Sequence, residues 1–369
     1  MKTVLKLGNS ICPTLIRNIA QIFLAVKNRL DLFRSNLNKT VYAGTCSINE
    51  DIQSNCNIFL SKEQLQDEKY MNTLKKDMVK CYFIYGINAN EYFVHHFELK
   101  TIKQRKEYIS KRDKNYACRL AESGFDTFNT LNDKYSFYTL AKLFFKRDVC
   151  KVENTEDIKE FLAFAQKHKQ CIVKPISSSW GNGCEIIELN DPNVVFNTLL
   201  QKDRWIVEEL ILQDDRMAVW NRSSVNTVRI CSFRQKNGNI IQIYPFMKTG
   251  RSGSVVDNAG QGGVYMSVDS KTGMVCSNGM DEMGNVYLEH PDSHVKYENW
   301  IVPEWESLIE ISKEVHKSLP HNHIYVGFDF ALDKNKGWVL IEGNWGDFIC
   351  QQSSLNRGIR KDILQAISG

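Results

Sequence analysis

The chain has 369 residues, 43% of them hydrophobic, with 47 Lys+Arg against 43 Asp+Glu and a formal net charge of +4. That length exceeds the roughly 250–300 residues at which single cores stop growing, so more than one subdomain is expected, and the near balance of charge argues against a dedicated nucleic-acid binder. Eleven cysteines are scattered with no C-x2-C pair and no histidine at zinc spacing, which disfavours a zinc ribbon and a full disulfide framework and reads as small apolar residues in a reducing cytosol.

In chain order, residues 11–34 place Ile11, Leu15, Ile16, Ile19, Phe23, Val26, Leu30 and Phe33 at helical spacing, within a segment 1–34 that holds six basic side chains and one acid. Arg17 and Asn18 interrupt the apolar run, which argues against a signal peptide, and no stretch reaches the ~20 apolar residues of a membrane span. Two readings stand for this basic amphipathic helix: it packs on the domain, or it lies peripherally on an anionic inner membrane face of an otherwise cytoplasmic protein. Residues 35–65, rich in Asn and Ser, read as loop and short elements, and residues 66–122 as mostly helical. Within them Tyr82, Phe83, Tyr85, Tyr92, Phe93 and Phe97 suggest a satellite core, and the adjacent His95 and His96 suggest packing or surface positions rather than a metal pair.

Helices are predicted over 132–148, 156–169, 193–201 and 304–318. Strands are predicted over 171–176, 184–189, 205–210, 225–233, 240–247, 262–268, 324–332 and 338–343. Together they give an α+β class. The domain reading is 1–40 for the basic helix, 41–130 for a mainly helical region, 131–210 for a first subdomain and 211–369 for a second.

Three patterns carry chemistry. Asp329, in VGFDFAL, precedes Glu342 and Asn344, in LIEGN, across the polar Gly-ended turn 333–337. Glu342 and Asn344 share one strand face, and a hairpin brings Asp329 alongside. Two carboxylates and an amide oxygen make a hard-oxygen site suited to Mg2+, and acids inside apolar runs are costly to bury without such a role. Next, VKPISSSWGNGCEI (173–186) runs a strand through Lys174 into a loop of Ser177, Ser178, Ser179, Gly181 and Gly183, whose backbone N–H groups suit phosphate oxygens. It is not a P-loop, since G-x4-G-K-[ST] is missing and a strand follows. Third, WIVEEL (205–210) ends a strand in Glu208 and Glu209 followed by Leu210, a strand end of the kind that suits a hinge whose backbone meets an adenine edge.

The order of Lys134, Lys174-Pro175, the Ser/Gly loop, V-E-E-L and D-x12-E-x-N resembles the ATP-grasp superfamily. NDKYSFY (132–138), VNTVRI (225–230), GRSGSVVDNAGQGGVYMSVD (250–269) and VGFDFAL…LIEGNWGDF (326–348) are similar to its sugar-transfer-associated, TupA-like group, over about residues 130–355. The resemblance implies an ATP-grasp fold of two α+β subdomains clasping nucleotide, preceded by a largely helical region. It implies ATP and Mg2+ as cofactors. Lys134 and Lys174 would contact phosphates under the 177–183 loop, Glu208, Glu209 and Leu210 would hold adenine, and Asp329, Glu342 and Asn344 would hold Mg2+. Arg229 resembles a γ-phosphate arginine, and Arg251, Asp257 and Asn258, with Gln261, Gly262 and Gly263, a loop near the transferred phosphate. Many peptide-forming relatives carry an arginine where this chain has Gly327, which leaves Arg229, Arg251 or Lys248 as the oxyanion stabiliser. The implied activity is a carboxylate–amine ligase working through an acyl phosphate on small molecules in surface-polysaccharide or glycoconjugate biosynthesis. A phosphoryl transferase on a sugar or small acid, and a non-catalytic nucleotide-binding partner of a glycosyltransferase, are the alternatives.

Overall fold

A computed structural model describes residues 41–42, 46–121, 130–177, 183–254, 257, 260 and 262–369. The basic segment 1–40 therefore lies outside the described residues, as do Ser178, Ser179, Trp180, Gly181, Asn258 and Gln261. None of the helices among the described residues is long and apolar enough to cross a membrane. Contacts divide the chain into one unit of residues 1–121 with 347–369 and another of residues 122–346.

The first unit is helical. A two-residue strand pair, β1 (Val41–Tyr42) and β2 (Cys46–Ser47), leads into α1 (Ile48–Phe59), α2 (Lys62–Gln66), α3 (Glu68–Tyr85), α4 (Ala89–Val94), α5 (Ile102–Arg105) and α6 (Lys111–Ala121). The expectation of loop and short elements over 35–65 is corrected by the 12-residue α1. Its polar composition hides a capping box between Ser47 and Glu50, which satisfies two N-terminal donors, and Ile48, Ile52 and Cys56 recur every fourth residue on one buried face. That face joins Met71, Leu74, Met78, Phe83, Tyr85, Tyr92, Phe93 and Phe97 in one core, so the aromatic run 81–99 packs as anticipated. His95 is buried against Tyr108, whereas the neighbouring His96 is exposed.

The second unit holds two antiparallel sheets. Its first part comprises α7 (Lys134–Phe145), β3 (Val149–Val152), α8 (Ile158–Lys167), β4 (Gln170–Pro175), β5 (Glu185–Glu188), α9 (Pro192–Lys202) and β6 (Trp205–Glu208). The strands form a sheet in the order β3-β6-β4-β5, and Phe161, Phe164, Phe196 and Leu199 of the two helices α8 and α9 cover its apolar face. β3 was not foreseen, because it is only four residues long; the helix expected over 132–148 stops before Lys146, whose φ of 49° is left-handed, and Lys146, Arg147 and Asp148 lead into the strand.

The remainder of this unit comprises α10 (Asp215–Ala218), β7 (Thr227–Arg234), β8 (Ile240–Gln242), β9 (Phe246–Thr249), β10 (Val264–Ser267), β11 (Gly279–Met280), β12 (Val286–Tyr287), α11 (Trp305–Ser318), β13 (Tyr325–Asp333) and β14 (Gly337–Asn344). The larger sheet runs β12-β11-β10-β9-β7-β13-β14, with β8 also on β7. The single strand expected over 240–247 is corrected to two. Tyr244 takes a φ of 53° and Pro245 follows without a donor, so the ladder breaks between β8 and β9. Val228, Ile230, Val326, Phe328, Phe330 and Leu340 point to one face, where Phe137, Phe145, Leu308 and Val315 cover them. Strand alternation then commits the intervening residues to the other face.

After β14, α12 (Ile349–Ser354) and α13 (Arg360–Ser368) belong to the helical unit. There the Gln352 carboxamide caps Ile109 in both directions, donating to its carbonyl at 2.9 Å and accepting from its N–H at 2.8 Å.

Candidate active site

The face of the larger sheet opposite its apolar core carries a row of charge. Arg229 on β7 lies opposite Asp329 on β13, which lies opposite Glu342 on β14. A bulge after Asp329 shifts the later register, so that Phe330 pairs with Leu340. Lys248 on β9 stands opposite Thr227, one pleat along from Arg229 on the same face.

Asp329 is the hub. It is 2% exposed, and Arg229 grips it with a fork, Nε to Oδ1 at 2.7 Å and Nη2 to Oδ2 at 2.6 Å. Lys248 Nζ donates to Oδ2 at 3.1 Å and Asn344 Nδ2 at 3.3 Å. Burial alone would raise the Asp329 pKa, but the charges of Arg229 and Lys248 outweigh it and hold the carboxyl well below its usual range. Burial likewise pulls Lys248 down and is outweighed by Asp257 and Asp329, so its pKa rises. Asp257 has its Oδ2 held by the backbone N–H of Thr227 at 3.0 Å and by the Thr227 hydroxyl, with Lys248 Nζ 3.8 Å from Oδ1. These bonds fix the loop after β9 onto the start of β7. Sequence reasoning did not find Thr227, which gives no signal of its own.

Glu342 differs from Asp329. Its side chain is 31% exposed, its nearest cation is Arg229 Nη2 at 4.0 Å, and Asn344 Nδ2 donates to Oε1 at 3.0 Å. Asp329 Oδ1 accepts one hydrogen bond, which leaves a second lone pair. The Asn344 amide thus stands within hydrogen-bond distance of both carboxylates. Turning the Asn344 amide over would add its oxygen to them. This hard-oxygen donor set fits Mg2+.

The side chain of Arg229 occupies the room beside Gly327. A Cβ built at Gly327 would stand 3.4 Å from Arg229 Cδ and 3.3 Å from the Tyr325 hydroxyl. An arginine from the neighbouring strand thus fills the place where Gly327 offers no side chain.

The lysines gather at the end of β4. Lys134 Nζ donates to the Pro175 carbonyl at 3.1 Å, and Lys174 Nζ lies 2.8 Å from Glu208 Oε1. Burial lowers the Lys134 pKa and the nearby Glu342 carboxylate opposes that, so this lysine lies within electrostatic reach of the acid on β14. Gly183 has a φ of +76°, and a Cβ there would meet Pro175 Cγ at 2.9 Å, so only glycine fits.

Glu208 faces inward and is 2% exposed. Arg147 takes Oε2 through Nε at 2.8 Å and through Nη2, and Arg147 Nη1 continues to the Leu340 carbonyl at 2.5 Å. Burial would raise the Glu208 pKa, but Arg147 and Lys174 bring it down to about 2. Its carboxylate is thus committed to positioning Lys174 rather than turned outward. Arg147, which joins β6 to β14, is a further residue that the sequence reading missed; it follows a helix and has no motif around it.

Glu209 turns the other way and pairs with Lys336 at 2.6 Å, and Leu210 follows it at partial exposure. Arg251 is not brought to the Asp329 cluster. Its Nε and Nη2 grip Asp292 at 2.9 Å each, and Ser252 N–H adds a bond of 2.7 Å to the same carboxylate.

Residues 193–367 match the family model described as sugar-transfer associated ATP-grasp. Over that segment the chain is similar to ATP-grasp proteins. The segment includes β6 to β14, hence Glu208, Arg229, Lys248, Asp329, Glu342 and Asn344, and leaves out Lys134 and Lys174. Among solved structures, the chain is similar to an ADP complex of purK, an N5-carboxyaminoimidazole ribonucleotide synthetase, at 11% identity and a TM-score of 0.39, with 64% of this chain and 51% of that one covered. It is also similar to the ATP-grasp ligase PsnB complexed with minimal precursor, at 11% identity and a TM-score of 0.41, covering 74% of this chain and 72% of that one. A third is the D-alanine-D-alanine ligase from Coxiella burnetii, at 10% identity and a TM-score of 0.39, covering 69% and 64%. The aligned part thus spans about half the length of the purK protein. No curated protein matches the sequence.

Proposed function

We propose that the chain is a Mg-ATP-dependent ligase that joins a small carboxylate to an amine through an acyl phosphate. The observation that carries this reading is the row Arg229–Asp329–Glu342 across three adjacent strands, with Lys248 and Asn344 beside it. It sets cation-binding oxygens and oxyanion-binding cations on one sheet face. A buried ion cluster of this kind contributes little net stability over a well-packed apolar one, since desolvation offsets its attraction. Its presence on a strand face is better explained by a polyanionic ligand than by folding alone.

In this reading Asp329, Glu342 and Asn344 hold Mg2+, which when bound neutralises charge on the β- and γ-phosphates. Lys134 and Lys174 bind the phosphates under the 177–183 loop, with Lys174 aimed by Glu208 and Arg147. The hinge Glu209–Leu210 lies along adenine by its backbone. A substrate carboxylate oxygen attacks the γ-phosphorus and ADP leaves. The amine then adds to the acyl carbon of the acyl phosphate, and inorganic phosphate departs as the C–N bond forms and the nitrogen gives up a proton. Arg229 and Lys248, already on this face, stabilise the oxyanion of that second step. Arg251 is assigned instead to hold its loop through Asp292. The reading extends to surface-polysaccharide or glycoconjugate synthesis in the cytoplasm; of this, the family description supports an association with sugar transfer.

Calorimetry of ATP with and without Mg2+, on wild type and Lys174→Ala, tests the proposal. Micromolar Mg2+-dependent binding that weakens about tenfold, or ~1.4 kcal/mol, in the variant supports it. No binding by folded wild-type protein overturns it. ADP release that requires both a carboxylate and an amine separates ligation from simple phosphoryl transfer. Sedimentation with anionic vesicles, with and without residues 1–34, tests the peripheral membrane contact.

A further inference from the structure

On the far side of β6 from Glu208, three side chains from separate elements meet. Asp148 immediately precedes β3, His168 immediately follows α8, and Glu209 immediately follows β6. We propose that they form a second cation site, for a transition-metal ion of the Zn2+ or Co2+ class rather than Mg2+.

One imidazole nitrogen and two carboxylate oxygens are the donors that such ions take, whereas Mg2+ avoids nitrogen. The three ligand atoms all lie within 4.8 Å of one another. His168 Nε2 is 2.9 Å from Asp148 Oδ2. Ligands sharing an ion at about 2.0–2.2 Å stand roughly 3–3.5 Å apart, so the widest pair must close by little more than an ångström.

The framework is held in place without the ion. Glu209 N–H donates to the Asp148 carbonyl at 2.9 Å, which carries the β3–β6 pairing one bond further, and Asp148 N–H donates to the Glu209 side chain, Oε2, at 3.0 Å. The His168 ring lies 4.6 Å from the Phe164 ring one helical turn earlier, and its backbone N–H caps α8 on the Phe164 carbonyl. Preorganised ligands lose little freedom on binding. All three are partly exposed, so an ion arrives from solvent and water completes its shell.

Two ammonium groups compete for the same oxygens. Lys336 Nζ is 2.6 Å from Glu209 Oε1, and Lys167 Nζ is 3.3 Å from Asp148 Oδ2. Both reach solvent and can swing aside, so the site is an ion-pair network that a metal displaces. That competition separates the proposal from a plain salt-bridge cluster, which binds no metal with or without its lysines. The inference stands on this geometry alone and does not depend on the ligase reading.

The test is Zn2+ calorimetry and Co2+ absorption on the full chain without nucleotide. Wild type is expected to bind Zn2+ in the micromolar range. His168→Ala should weaken binding at least tenfold, Lys336→Met should tighten it several-fold, and Glu342→Gln should leave it unchanged. Asp148→Asn serves as a second ligand variant, and circular dichroism checks each fold. No Zn2+ binding by wild type, or binding that is indifferent to both His168→Ala and Asp148→Asn, overturns the proposal. A loss at Glu342→Gln instead would assign the ion to the Asp329 face and equally overturn it.

Discussion

Asp329 and Glu342 face each other across one hairpin, yet replacing each with its amide should cost very different amounts of stability. Asp329→Asn removes the charge gripped by the Arg229 fork at 2.7 and 2.6 Å and by Lys248 at 3.1 Å. Arg229 then stays mostly buried with only Glu342 at 4.0 Å, and Lys248 keeps only Asp257 at 3.8 Å; breaking a buried pair in this way costs about 3–5 kcal/mol. Glu342→Gln removes a charge with no cation closer than 4.0 Å, and the new carboxamide oxygen still accepts from Asn344 Nδ2. Its cost is expected to be under about 1 kcal/mol. If both carboxylates serve Mg2+, however, each substitution should weaken Mg-ATP binding by tenfold or more, about 1.4 kcal/mol or above. Urea unfolding followed by circular dichroism gives the first quantity, and calorimetry gives the second. Equal destabilisation by the two variants would refute the assignment of Asp329 as the buried hub. Undiminished Mg-ATP binding and turnover by stable Glu342→Gln would refute the metal role.

Other outcomes follow from the same geometry. Because Glu208 is held at about 2 in place of its ordinary 4.5, its contribution is complete above about pH 4.5 and is lost as pH falls toward 2. That difference corresponds to roughly 3 kcal/mol, so acid titration of stability should show a loss in this window that Glu208→Gln, already less stable at neutral pH, does not. Arg251→Gln breaks a half-exposed pair with Asp292 and should cost under about 1 kcal/mol, with turnover within a few-fold of wild type, whereas Arg229→Met should lower turnover by about 100-fold or more; steady-state kinetics on both decides which arginine serves the reaction. Gly343→Ala would bring a Cβ to 2.6 Å from the Phe137 ring and 3.1 Å from Leu131, so unfolding should show a loss of about 1–3 kcal/mol from overpacking.

Periodicity and polarity determined much of this protein before any tertiary contact was known. The apolar run VGFDFAL predicted a strand that holds Asp329, and the Gly-ended turn predicted the hairpin that sets it against Glu342. Both follow from local pattern, which sequence displays directly. The aromatic run 81–99 announced a core for the same reason, because bulky apolar side chains have few other places to go. The first turn of α1 was also written in the sequence, as Ser47 and Glu50 three residues apart, but polar composition masked it.

Partnership across strands was not legible. Nothing near Arg229 indicates that its fork closes on Asp329, a hundred residues later, or that Arg147 ties Glu208 to the Leu340 carbonyl. Strand order decides these pairs, and strand order depends on long-range contacts that local pattern does not encode. The same holds for Gly343, whose place in LIEGN reads as part of a metal motif but is required by the Phe137 ring packed against it. It holds too for Glu208 and Glu209, adjacent and alike in sequence. One turns inward between Arg147 and Lys174, and the other turns outward toward Lys336 and His168. Chemistry that residue type and spacing can specify was visible in the chain, and only the packing of two sheets determined which charge each acid meets.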